Sequence, residues 1–157
     1  MDPLESITYD ELQVGDSATY TRVFTEDALV LFAAVSGDMN PLHLDPGYAQ
    51  TSVFKERTGH GMWSGALISA AIGTVMPGPG TVYLEQNLRF RKPVRLDDVL
   101  NVTLTVTGKE PPHFVIINCE VCNQDQEVVV DGVARVIAPE SKVLVERPVL
   151  PSIRIGE

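Results

Sequence analysis

From Met62 to Met76 the chain carries no charged residue and is dense in small ones: Gly65, Ala66, Ser69, Ala70, Ala71 and Gly73. This segment limits the fold more than any other. It is too short for the roughly 20 residues that span a bilayer, so it must be a helix buried in the protein. Two glycines inside a helix each cost about 1 kcal/mol against alanine. A helix keeps them where another element approaches its axis closely, and the expected neighbour is a sheet wrapped around it. Pro77 and Pro79 close the segment.

The rest of the chain supplies that sheet. Asp98 to Thr107 alternates cleanly, with Leu100, Val102, Leu104 and Val106 against Asn101, Thr103, Thr105 and Thr107. Thr81–Phe90, Phe114–Cys122 and Glu127–Ile137 read as further strands, with Leu84, Leu88 and Phe90 sharing one face of the first. Gly108–Pro112 and Asn123–Gln126 read as turns between them. Earlier in the chain, Ser17–Phe24 is a candidate strand. Thr25 is a candidate N-cap for a helix over Ala28–Val35, which is apolar almost all round and therefore expected to be well buried. Gly37 is placed to end it. Residues 37–61 are broken repeatedly by Pro41, Pro46, Gly47, Gly59 and Gly61, with one short helix expected within Tyr48–Phe54. The order of elements predicts an α+β domain over residues 1–140, with an antiparallel sheet around a central helix and an irregular tail over 141–157.

Composition excludes several function classes. There are 12 Lys plus Arg against 21 Asp plus Glu, a net charge of −9. Such a chain is a poor partner for nucleic acid or an anionic membrane surface. Met1-Asp2-Pro3-Leu4-Glu5 lacks the basic and apolar regions of a secretory signal, so the expected location is the cytoplasm. Cys119 and Cys122 are the only cysteines. They fall within one strand, and no second pair completes a zinc site, so they read as ordinary strand residues. No metal site is expected. His113, beside Pro111 and Pro112, is expected to be exposed and inert.

The chemistry concentrates in Ser36-Gly37-Asp38-Met39-Asn40-Pro41-Leu42-His43-Leu44-Asp45. Pro41 biases Asn40 toward an extended conformation and stiffens the chain between Asp38 and His43. Both side chains could converge on one water, and a carboxylate with an imidazole suits proton transfer near neutral pH. Singly, Asp38 could be only a turn cap and His43 only a structural imidazole. Together, in register with Gly37, Asn40 and Pro41, they favour catalysis. Asn40 is expected to brace the loop through bonds to the backbone. Gly59-His60-Gly61-Met62 opens the central helix, and free N–H groups at a helix start can receive an anion. Gly61 is the candidate donor, because glycine admits close approach. His60 either contacts substrate or braces its loop. Met62 and Trp63 are candidates to line a pocket, whereas Leu67 and Ile68 read as core. Arg89, Arg91, Lys92 and Arg95 hold four of the chain's 12 cations. Arg89 and Arg91 share a strand face, which is either solvated or a site for ligand phosphates.

The motif D-x-N-P-x-H, followed about sixteen residues after His43 by G-H-G-M, resembles the MaoC-like (R)-specific enoyl-CoA hydratases. The likeness runs from about Tyr9 to about Ile137. It includes Gly15-Asp16, Phe32-Ala33-Ala34-Val35 and Leu88-Arg89-Phe90-Arg91-Lys92-Pro93-Val94. It resembles in particular the hydratase domain of bifunctional proteins that also carry a phosphate acetyl- or butyryltransferase domain. The resemblance implies a hot-dog fold that dimerises, or assembles further, through a sheet edge. It implies an acyl-CoA substrate and no cofactor. Asp38 and His43 would activate water, and the Gly61 N–H would polarise the thioester carbonyl. Asn40, His60, Met62, Trp63, Arg89 and Arg91 would contact substrate. Two rivals have different chemistry. A hot-dog thioesterase often keeps an acid on the central helix, and Met62–Met76 has none. A non-catalytic acyl-thioester binding module leaves the Asp–His pair without a purpose.

Overall fold

A computed structural model describes residues 1–156. The elements run β1 Leu4–Glu5, β2 Ser17–Val23, α1 Glu26–Ser36, α2 Pro41–Leu44, α3 Pro46–Thr51, α4 Gly61–Thr74, β3 Val82–Gln86, β4 Arg89–Phe90, β5 Val99–Glu110, β6 Phe114–Cys122, β7 Val128–Ile137 and β8 Leu144–Val145. Six strands form one antiparallel sheet in the order β2-β5-β6-β7-β3, with β4 also paired to β7. This is the expected α+β, hot-dog arrangement, a sheet curved around α4. Leu100, Val102, Leu104 and Val106 of β5 are all buried, and so are Val115, Ile117, Cys119 and Val121 of β6. The period-two pattern therefore maps directly onto the core face. Against it α4 places Trp63, Leu67, Ile68, Ala71 and Ile72.

The glycines of α4 do not face the sheet, although the small Ala71 does. Gly61, Gly65, Ser69 and Gly73 fall four apart on the opposite, more exposed side. Two of them receive side chains from the segment after β3. A Cβ on Gly61 would lie 2.8 Å from Phe90 Cε1, and one on Gly65 would lie 3.1 Å from Leu88 Cδ1. The glycines therefore let Leu88 and Phe90 lie against the helix backbone. The single strand expected over Thr81–Phe90 is split in two, with a register shift between Tyr83 and Glu85. Leu84 stays exposed while Leu88 and Phe90 turn toward α4.

Three further expectations change. Helix α1 starts at its Thr25 cap and ends at Gly37, whose φ of 75° is left-handed, as its sequence predicts. It buries only Leu29 and Ala33, however, and Val35 is 82% exposed. The helix covers one margin of the core and leaves its other apolar side over a groove. Residues 37–61 hold two helical turns, not one. Asn40 caps α2 and Asp45 caps α3, each followed by a proline at the helix start. The tail is not wholly irregular, because β8 pairs with β1 in register Leu4↔Val145. His113 helps to hold it: His113 Nε2 lies 3.2 Å from Glu140 Oε1, and the ring meets Tyr9 edge-on.

The same end of the molecule carries a titratable pin. Lys142 Nζ donates to Glu11 Oε2 and to the Ser6 carbonyl, both at 2.8 Å. The Lys142 ammonium and the Thr8 N–H hold the Glu11 carboxyl down from 4.5 to about 2. A depressed carboxylate stabilises the fold above its unfolded value and loses that contribution as pH falls through the folded one. The Ser6–Val143 region should therefore loosen between pH 4.5 and about 2. Amide exchange at Val143 should show this in the wild type, and Glu11→Gln should remove the pH dependence in that window. Elsewhere, Cys119 and Cys122 are free, and burial pushes the Cys119 thiol up to about 11, which makes it a poor nucleophile.

Candidate active site

The site is assembled from two straps. The first is the turn after α1. Gly37 N–H donates to the Ala33 carbonyl at 2.9 Å, and the left-handed Gly37 sends the chain away from the helix at Asp38. Asp38 Oδ1 accepts from the Asn40 N–H at 3.2 Å, and Asn40 Oδ1 accepts from the Leu42 N–H at 3.0 Å. Asn40 thus braces the loop as expected, its side-chain oxygen committed to capping α2. The second strap is Thr58-Gly59-His60. Thr58 bridges to Arg95, and Gly59 N–H donates to the Val94 carbonyl at 2.7 Å. This fixes the chain as it enters α4 with His60 at the N-cap.

The straps bring Asp38, His43 and His60 together, with one potential ligand atom from each inside a 4.8 Å cluster. Both imidazoles are buried, while the Asp38 side chain is 50% exposed. The His43 and His60 rings stack with centroids 3.8 Å apart and planes 29° from parallel. His43 Nδ1 lies 2.6 Å from the Thr58 carbonyl oxygen, and His60 Nε2 lies 3.0 Å from the Asp38 carbonyl oxygen. A carbonyl only accepts, so each ring must donate there. His43 therefore carries its proton on Nδ1 and presents a lone pair at Nε2. His60 Nε2 is also 4.0 Å from Asp38 Oδ2.

Such a cluster could interest a metal ion, but its geometry favours proton transfer. Imidazole lone pairs lie in the ring plane. One nitrogen of each ring is already committed to a backbone carbonyl, His43 Nδ1 to that of Thr58 and His60 Nε2 to that of Asp38. What the arrangement offers is a hydrogen-bond-oriented base beside a carboxylate open to solvent.

The other expected residues divide clearly. The Gly61 N–H has no acceptor among the described residues and opens α4 beside His60. Gly61→Ala should displace the Phe90 ring, which is 55% exposed and free to swing out. The fold should survive, but the first turn of α4 should shift, lowering kcat/KM by about ten- to a hundredfold. Steady-state kinetics beside a thermal melt would separate the two effects. Trp63 packs on Phe24 and also borders a groove of about 870 Å³ with Leu31, Phe32, Val35, Ala66 and Ala70. Phe32 joins groove to site, its ring centroid 5.1 Å from that of His60. Met62 lies exposed at the start of α4. Arg89 and Arg91 are not brought to the cluster. They share a shallow depression on the outer sheet face with Asn118, Glu120 and Asp131, and Arg91 is paired to Asp131 at 3.1 Å. The enclosure of His60 between Phe32 and His43 has no signal in the sequence. Its hydrogen-bond partner is a backbone carbonyl, which any residue supplies.

The comparisons agree with one another. The model of the MaoC like domain matches residues 12–128. The (R)-specific enoyl-CoA hydratase of Rhodospirillum rubrum is 41% identical over 131 residues, covering 83% of this chain and 91% of the relative. The solved R-hydratase PhaJ1 from Pseudomonas aeruginosa, in its unliganded form, superposes with a TM-score of 0.95 at 56% identity, over 98% of this chain and 99% of the other. The (R)-hydratase from Aeromonas caviae gives a TM-score of 0.78 at 35% identity, over 82% and 98%. The groups that these matches span include both straps, the stacked imidazoles and α4, and the chain belongs to the MaoC-like domain family.

Proposed function

We propose that this protein is an enoyl-CoA hydratase, adding water to a trans-2-enoyl-CoA to give the (R)-3-hydroxyacyl-CoA. The observation that carries the reading is the clustering of His43, whose Nδ1 is committed to the Thr58 carbonyl, with His60 and the exposed Asp38 carboxylate inside 4.8 Å, next to the N-terminus of α4. The relatives named as (R)-specific enoyl-CoA hydratases support the same chemistry and the same stereochemistry.

The geometry supports the following roles. A water held between Asp38 and His43 bonds through its oxygen to C3 of the enoyl group. Its proton passes to the Asp38–His43 pair, and the pair returns a proton to C2 as the double bond is consumed. Negative charge collects meanwhile on the thioester oxygen, where the Gly61 N–H receives it. One preorganised donor of this kind is worth about 2.7–4 kcal/mol. The groove bordered by Phe32, Trp63 and Ala66 takes the acyl chain. His60, Met62 and Asn40 border the reacting end, and with Arg91 paired to Asp131, Arg89 is the member of that strand pair left for a coenzyme A phosphate. The step is redox-neutral and calls for no electron-carrying cofactor. Two copies joined along a sheet edge would be the working unit, with its place in the cytoplasm. The proposed likeness to the hydratase half of bifunctional hydratase and transferase proteins concerns this domain alone. No helix among the described residues is long and apolar enough to cross a membrane.

Crotonyl-CoA tests the proposal. Loss of its enoyl absorbance with the thioester intact, and (R)-3-hydroxybutyryl-CoA as product, is the expected result. Release of free thiol would instead identify a thioesterase. Binding with neither change, across short and long enoyl-CoAs, would identify an acyl-thioester binding module.

A further inference from the structure

Two buried polar atoms at this site have no hydrogen-bond partner among the described residues: His60 Nδ1 and the Ser64 hydroxyl oxygen. Their residues are 2% and 0% exposed. An unpaired buried polar group is costly, and native proteins keep few. Here two occur within one turn of one helix, since His60 is the N-cap of α4 and Ser64 lies four residues on. His60 makes no side-chain cap bond to the helix start, so that interaction does not explain its Nδ1.

The two groups are complementary. His60 donates its Nε2 proton to the Asp38 carbonyl oxygen. A neutral ring protonated there has a bare lone pair on Nδ1, and a serine hydroxyl has a proton to give. With the proton on Nδ1 instead, two lone pairs would meet at the Asp38 carbonyl. The ring would turn, and the stack that seats His43 would loosen with it.

We propose that Ser64 is a positioning residue for the hydration reaction, its hydroxyl linked to His60 Nδ1 through one enclosed water that donates to that nitrogen, and so holding the His60 proton on Nε2 toward Asp38. The link acts through His60 and touches no substrate. Its effect on turnover rests on the hydratase reading, whereas its effect on the His60 proton does not. An enclosed water needs two to four polar partners, and His60 Nδ1 and the Ser64 hydroxyl would supply two of them.

The test pairs ring ¹⁵N chemical shifts of His60 with crotonyl-CoA kinetics in the full-length wild type, Ser64→Ala and Ser64→Thr. In the wild type His60 should be the Nε2–H tautomer. Ser64→Ala should populate the Nδ1–H form. It should also lower kcat by about five- to tenfold, the effect of one lost hydrogen bond, with KM within about twofold. Ser64→Thr, which keeps the hydroxyl, should restore both. Alanine is the best helix former, so the variant should fold. A purely structural serine would lower the melting temperature and leave the tautomer unchanged. A wild-type His60 protonated on Nδ1, or an unchanged tautomer in Ser64→Ala, overturns the proposal whatever the kinetics. If the wild type fails to hydrate crotonyl-CoA while the tautomer shift occurs, the hydratase reading fails and the Ser64–His60 link stands.

Discussion

Asp38→Asn is expected to lower kcat for enoyl-CoA hydration by about 10²–10⁴-fold while leaving the melting temperature nearly unchanged. The substitution is close to isosteric. Asn retains an oxygen for the Asn40 N–H, which Asp38 Oδ1 now accepts at 3.2 Å. The Asp38 backbone carbonyl, which receives the His60 proton, is untouched. What disappears is the negative charge and the ability to hold a proton. His43→Ala should be equally inactive but less clean, since it removes one ring of the stack and frees the Thr58 carbonyl. Steady-state hydration of crotonyl-CoA with a parallel melt decides the matter. An Asp38→Asn variant keeping more than a third of wild-type kcat would sink the assignment of Asp38 to the chemistry.

Gly132→Ala should have the largest effect on stability. A Cβ at this point of β7 would lie 1.9 Å from the Asn87 carbonyl oxygen and 2.9 Å from its carbon. Both are backbone atoms, so no side chain can move aside. Asn87 is itself pinned to the neighbouring residue: its N–H donates to the Val133 carbonyl, and its side-chain oxygen accepts from the Val133 N–H, both at 3.1 Å. The strands must separate to admit the methyl group, at a cost of about 3 kcal/mol or more. For a chain of this size that is a fall in melting temperature of about 6–12 °C. Activity should fall as well, because Asn87 anchors the crossing that delivers Leu88 and Phe90 to α4. A thermal melt within 2 °C of wild type, an interval below about 1 kcal/mol, would show that the sheet yields more easily than this geometry implies.

How far the sequence announced this protein varies by element. The β5 alternation translated without loss into a buried row, because a half-buried strand has a period of two and little else competes. The Asp38–His43 motif marked a real convergence, since a short, proline-stiffened segment leaves few conformations. The two turns after it were also signalled: Asn40-Pro41 and Asp45-Pro46 each pair a capping side chain with proline at the first helical position. Their shortness hid them among the other breaks. Two features were out of reach. Composition marked α4 as buried but could not tell which face the small residues would take, because either a sheet or single side chains can approach a glycine. The burial of α1 fell short of the expected extent for a similar reason. Apolar residues on several sides do not reveal that one side borders a groove.

Residue 38 divides its two functions between different parts of the same residue. Its carbonyl holds an imidazole in place, and any amino acid would do this equally well. Its carboxylate faces solvent and is tied only lightly to its surroundings. The architecture of the pocket is therefore insulated from the identity of this side chain. On the proposed function, a lineage could exchange the acid in one step, keep a folded pocket, and become a receptor for the ligand it once transformed. Binding-only descendants of this scaffold should therefore be cheap to reach, and position 38 is where to look for them.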